Sequence, residues 1–119
     1  MKYMLLIYNR AGYVEALSEQ DRTALMNEVD AIMAELAASG EFVRGEALAD
    51  PSKTKTIRVR DGVPAVTDGP FIEAKEQFAG YLVVDCDEAR AVDIATRWPD
   101  AKNFAMEVRA VIDEALPES

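Results

Sequence analysis

One stretch, Thr67–Asp68–Gly69–Pro70–Phe71–Ile72–Glu73–Ala74–Lys75–Glu76–Gln77, gathers most of the side chains in this sequence that could do chemistry. The chain has no histidine. Proton transfer near neutral pH therefore falls to a carboxylate with a raised pKa, a lysine with a lowered one, or a tyrosine. Asp68 is the first choice for a general base and Glu73 the second. Lys75, Arg58, Arg60, Tyr8 and Tyr81 are the groups that could orient or neutralise an anionic substrate, and Phe71 could plug an apolar hole beside the turn. Proton abstraction with elimination, a lyase or isomerase step, is the most economical chemistry for one carboxylate and nearby cations. Each residue also has a plainer role. Asp68 before Gly69 is an ordinary turn aspartate, free to bond backbone amides or to pair with Lys55. Glu73, Lys75 and Glu76 read equally as a solvated charged segment. Arg44 and Glu46, two apart on one strand face, read as members of an ion pair.

Other chemistries find no support. Without histidine and with the single cysteine Cys86, a native zinc site and an internal disulfide are both excluded. Cys86 follows Leu82–Val83–Val84–Asp85 and reads as a small buried hydrophobe. No aspartate-rich loop for magnesium, phosphate loop, dinucleotide fingerprint or nucleophile elbow is present. No cofactor and no metal are expected.

These residues need a scaffold, and the hydrophobic pattern describes one. Tyr3–Tyr8 is a continuous apolar run suited to a strand covered on both faces. After the polar turn 9–12, Ser18 is a good N-cap, with Glu19 and Asp21 in the positive first turn. Leu25, Val29, Ile32, Met33 and Leu36 then form one helical stripe that ends at Gly40. A second strand is expected over 41–48, weakened by Gly45. Strands over 53–60 and 63–68 flank Asp61–Gly62, a pair suited to a two-residue type I′ hairpin. Counting outward from that turn pairs Arg60 with Val63, Arg58 with Ala65, Ile57 with Val66, and Lys55 with Asp68. Pro64 cannot donate to a ladder, which places its strand at an edge. Another strand is expected over 77–85, then a helix capped by Asp87 and stopped by Pro99. The last strand alternates Phe104, Met106 and Val108 with Ala105, Glu107 and Arg109.

The order is strand–helix–strand, an inserted hairpin, then strand–helix–strand. Two βαβ units of this kind make an α+β, ferredoxin-like sandwich with both helices on one face of an antiparallel sheet. The other face asks for a partner, and a second copy is the simplest one, giving a dimeric α/β barrel. Residues 1–112 form the expected single domain, and the acidic tail 113–119 is expected to fray. The formal net charge of −9 argues against nucleic acid and anionic membrane as partners. The apolar N-terminal run is far short of the roughly 20 residues a membrane span needs. It also lacks a signal-peptide cleavage site, so a cytoplasmic location is the default.

The pattern D-G-P-F-x-E-x-K-E-Q over Asp68–Gln77 resembles the signature of the DGPF branch of the YCII-related family. The opening Met1–Tyr8, the hairpin before Asp68 and the ending Met106–Glu107–Val108–Arg109 extend the likeness over nearly the whole chain. The resemblance implies the ferredoxin-like fold and a dimeric α/β barrel, but no settled activity. Some relatives, including a dehydrochlorinase, are linked to a His–Asp pair, which a chain without histidine cannot hold. Ala79 stands where many relatives have a second glycine. Two functions remain open: a cofactor-independent enzyme for a small, anionic molecule held beside the turn, and a non-catalytic regulatory or protein-interaction module.

Overall fold

The computed structural model describes residues 1–112; the expected fraying of 113–119 lies outside them. The apolar runs Tyr3–Tyr8 and Tyr81–Val84 lie on the two middle strands of a four-stranded antiparallel sheet. Strand β1 (Lys2–Asn9) lies between β5 (Gln77–Asp85) and β6 (Ala105–Ala110), with β2 (Phe42–Ala47) outside β5, in the order β2-β5-β1-β6. β1 and β2 are parallel with β5 threaded between them, and β5 and β6 are parallel with β1 between. The sheet is thus two interlocked split βαβ units, an α+β arrangement.

Helix α2 (Glu19–Ser39) starts at Ser18, whose hydroxyl accepts from the Asp21 amide, and ends at Gly40 in the left-handed conformation. Helix α3 (Glu88–Arg97) starts at Asp87, whose carboxylate accepts from the Arg90 amide. Both helices cover one face of the sheet. Ile32 and Leu36 of α2 and Ala91, Ile94 and Ala95 of α3, with Trp98, pack on Leu5, Leu82 and Val84; Tyr3, Ile7, Met106 and Val108 complete that side. Burial of the large apolar members contributes about 1.5–3 kcal/mol each, which is what holds the layers together.

Alternate residues point away from the helices. The paired rows there are Arg44, Val83, Met4 and Arg109, then Glu46, Tyr81, Leu6 and Glu107. β1 is therefore covered by helices on one face only, which differs from the continuous burial its apolar run suggests. Arg44 and Glu46 form no ion pair among the described residues.

Three local features depart from the sequence reading. A short helix α1 (Tyr13–Ala16) forms within the connection to α2, and a 3-10 turn spans Pro51–Lys53, so β3 begins at Lys55. Pro99 does end α3, but it also opens a further short helix, α4 (Pro99–Asn103), where its fixed φ and missing N–H are tolerated. Phe104 accordingly closes α4 and puts its ring edge-on to Tyr13, with centroids 4.8 Å apart.

Strands β3 (Lys55–Arg60) and β4 (Val63–Asp68) pair only with each other, in a separate two-stranded sheet with the expected register. Asp61 (φ 51°) and Gly62 (φ 77°) make the left-handed turn between them. Pro64 sits on an edge because both strands are edges. Among the described residues no helix is long and apolar enough to cross a membrane.

Candidate functional site

The turn that carries Asp68 is built by the hairpin beneath it. Gly69 has φ 95°, a conformation that L side chains rarely adopt, so the position needs glycine. Its amide donates to the Thr54 carbonyl at 2.8 Å, and the Thr56 hydroxyl donates to its carbonyl at 2.7 Å. Asp68, opposite Lys55 in the ladder, forms an ion pair with it, as the pairing reading of Asp68 had it. Gln77 closes the loop that follows. Its side-chain amide donates to the carbonyls of Ile72 at 3.0 Å and Ala74 at 2.9 Å. The motif's backbone shape is therefore held by its own glycine and glutamine.

Beside this turn lies a cleft of about 540 Å³. Its apolar wall is Leu48, Pro51, Pro70, Phe71 and Phe78, and its polar wall includes Lys53, Lys55 and Thr56. A volume in this range suits a small organic ligand. The Asp50 carboxylate also lies here but is engaged: it accepts from the Ser52 amide, and its contacts with Ser52 hold it below the usual carboxylate range. Lys53 makes no ion pair among the described residues. The cleft thus presents one unengaged cation, a second shared with Asp68, and two aromatic rings.

The sequence-derived residues distribute unevenly around it. Phe71 lines the cleft, and the Arg58 guanidinium stacks over its ring, 5.3 Å from the centroid. Asp68 stands next to the cleft through Lys55, open to water. Glu73 and Lys75 lie in the exposed loop before β5 and form no ion pair among the described residues. Arg60 is exposed at the hairpin tip, beside Asp61–Gly62. Tyr8 and Tyr81 are on the helix-free face of the main sheet. Tyr8 reaches the cleft indirectly. A register shift skips Ala79 and sets Phe78 opposite Tyr8, with ring centroids 5.9 Å apart. The Glu107 carboxylate beside the Tyr8 hydroxyl pushes that phenol's pKa up, and burial adds to the effect.

Sequence reasoning missed Lys53 and Phe78 as lining residues. Neither stands in a motif, and only the folding of 48–56 against 70–78 makes them neighbours. It also missed Asp100, the one buried charged residue among those described, at 6% exposure. The Asn9 side-chain amide donates to it at 2.9 Å, and burial raises its pKa. Cys86 fits the hydrophobe reading in part: it packs against the core, and burial pushes its thiol up. Among the described residues no group of histidine, cysteine and carboxylate side chains is arranged to hold a metal ion.

An uncharacterized protein of Rhizobium meliloti (strain 1021) is 32% identical to this chain over 92 residues, covering 75% of this chain and 74% of the relative. The family model for the YCII-related domain matches residues 1–115. With both the sheet and the turn in place, the chain belongs to the YCII-related family.

Proposed function

We propose that this protein, a member of the DGPF branch, works as a homodimeric α/β barrel that binds a small organic acid in the cleft beside Asp68–Phe71. The observation that carries the reading is the combination of Lys53 and Lys55 with Phe71 and Phe78 in one cleft of about 540 Å³. An acid group placed at the lysines leaves an apolar or aromatic body to fill the space between the rings. Pairing has its own support. The helix-free face has Met4, Leu6 and Tyr81 at its centre around the already buried Val83, and both charge signs at each rim, Arg44 and Glu46 on β2, Glu107 and Arg109 on β6. Two copies related by a twofold axis can bury the centre and match opposite charges at the rims.

A catalytic reading grows from the Lys55–Asp68 pair. An incoming carboxylate competes for Lys55 and releases Asp68, which then becomes a base at the mouth of the cleft. Glu73, on the exposed loop, is the remaining carboxylate for that role.

A thermal-shift screen of small aliphatic and aromatic acids and phenols tests the binding reading. A ligand at one hundred times its dissociation constant stabilises the folded state by about 2.7 kcal/mol. The expected result is a rise in midpoint that Lys53→Met abolishes while leaving the ligand-free midpoint in place. If no acid raises the midpoint, or Lys53→Met responds as the parent does, the cleft is not the binding site. Asp68→Asn separates the roles: loss of turnover with binding kept marks a base, and loss of ligand-free stability marks a structural turn residue.

A further inference from the structure

Strands β3 and β4 contact little but each other, and an isolated two-stranded hairpin is marginal in water. One of its faces carries Lys55, Ile57 and Val59 against Pro64, Val66 and Asp68. Ile57, Val59 and Val66 on that face are 57–62% exposed. The other face turns to its own chain: Thr56 bonds Gly69, and Arg58 covers Phe71. The hairpin stands out from a flat molecule of 50 × 47 × 18 Å. The radius of gyration is 16.7 Å, where a compact chain of this length would have roughly 13–14 Å. An apolar face held out in this way has no cover within its own chain among the described residues.

The charges say what covers it. Residues 53–68 hold four basic side chains (Lys53, Lys55, Arg58, Arg60) and two acidic ones (Asp61, Asp68), a net of +2 in a chain of 13 basic and 22 acidic residues. The hairpin is a basic, apolar arm on an acidic body. The surface it complements is an acidic, partly apolar one, and a second copy of the same chain presents that at equal concentration. A nucleic acid would meet the arm favourably but would be repelled by the body's net charge of −9.

We propose that the β3–β4 hairpin is an arm with which each copy grips its twin, seating Ile57, Val59, Pro64 and Val66 on the body of the other copy. The proposal rests on the pairing reading above and adds a second contact to it, outside the sheet faces. The arm's base, Lys55 and Thr56, forms part of the cleft wall, so gripping the twin also fixes the position of that wall.

Two measurements on the full chain test it. In the first, I57T/V66T keeps β-forming side chains but removes apolar surface, and sedimentation reads the dimer dissociation constant. The expected change is an increase of roughly tenfold or more, with the near-ultraviolet signal of Trp98 unchanged. In the second, Val59→p-benzoylphenylalanine is irradiated in a mixture of isotope-labelled and unlabelled copies. The expected product is a mixed-label chain pair joined through the arm. A parent protein that is monomeric at all concentrations overturns the pairing reading and the arm together. A parent dimer whose dissociation constant I57T/V66T leaves unchanged, or whose arm cross-links only within its own chain, overturns the arm and leaves face-to-face pairing standing.

Discussion

Asp100 shows how one buried carboxylate can work against the fold it belongs to. It is almost fully enclosed at the start of α4, forms no ion pair among the described residues, and accepts from the Asn9 side-chain amide at 2.9 Å. Burial raises its pKa above the unfolded value. The folded state therefore binds this proton more readily than the unfolded one, and the group costs stability as pH rises through its folded pKa. Asp100→Asn keeps an acceptor for Asn9 and removes the charge. The expected outcome is a higher thermal midpoint at neutral pH and a smaller difference from the parent in acid. Asp100→Ala leaves the Asn9 donor unsatisfied and should lower the midpoint in acid, where no charge is relieved, with a stability loss of about 1–3 kcal/mol. Scanning calorimetry of both variants across pH checks the two signs together. At the same scale Asp68 is the opposite case, an exposed carboxylate held by a lysine, so its removal should matter more to the ligand than to the fold.

Between elements, the tie that stands out is the cluster around Arg90. Its guanidinium donates to Glu41 at 2.9 Å, to Glu35 at 2.8 Å and to Asp93 at 3.0 Å, and Arg97 donates twice more to Glu35. One residue thereby joins α3 to α2 and to the start of β2. Arg97 and Arg90 lower the Glu35 pKa from 4.5 to about 2. Glu41 is lowered as well, chiefly by Arg90. Both acids stabilise the fold fully above their unfolded pKa; the Glu35 contribution fades as pH falls from 4.5 toward about 2, and the Glu41 contribution fades as pH falls through its own lowered pKa. Arg90→Met should therefore cost stability at pH 7 and flatten the acid limb of the stability curve, a loss seen by urea unfolding. The β2–β5 seam makes a second prediction. A Cβ at Gly80 would lie 2.7 Å from the Glu46 carbonyl oxygen and 3.2 Å from the Ala47 Cα, both backbone atoms. Gly80→Ala must push the strands apart and should cost about 1–3 kcal/mol, read as a drop in the urea midpoint.

Elements of this kind were largely legible in the sequence because their signals are local. Ser18, Gly40 and Asp87 cap their helices as read, and Asp61–Gly62 set the hairpin register through Lys55–Asp68. What stayed hidden depended on chain crossings. α4 needed Pro99 to be a starter as well as a stop, and Lys53 and Phe78 became neighbours only through folding. The tyrosines show the same limit. Their face of the sheet was foreseeable from alternation, but the skip at Ala79 that brings Phe78 to Tyr8 was not.

The whole molecule is a thin slab, 18 Å in its shortest dimension, with helices on one side of its sheet and none on the other among the described residues. A slab of that kind leaves one face of its four-stranded sheet without helices, the face that the proposed pairing would cover. Paired copies should sediment as a species of twice 13.1 kDa. Amides of β3 and β4 should exchange with solvent quickly in dilute protein and slowly at concentrations where pairing is complete. Slow exchange that is independent of concentration would mean the hairpin is protected within its own copy.

Among the described residues, the central strand β1 is the first in order, and one of its two partners, β6, is the last. Tyr3 lies opposite Ala110, and Leu5 opposite Val108. A ribosome delivers the chain in order, so β1 leaves the exit tunnel apolar and unpaired, and it must wait for β5 and β6. Until Gln77–Asp85 emerge, only the β3–β4 hairpin and single helices can form, and β1 has its second partner only with Ala105–Ala110. The core therefore cannot be finished before Ala105–Ala110 have been made. Co-translational chaperones that shield apolar segments should engage the first strand early and release it late.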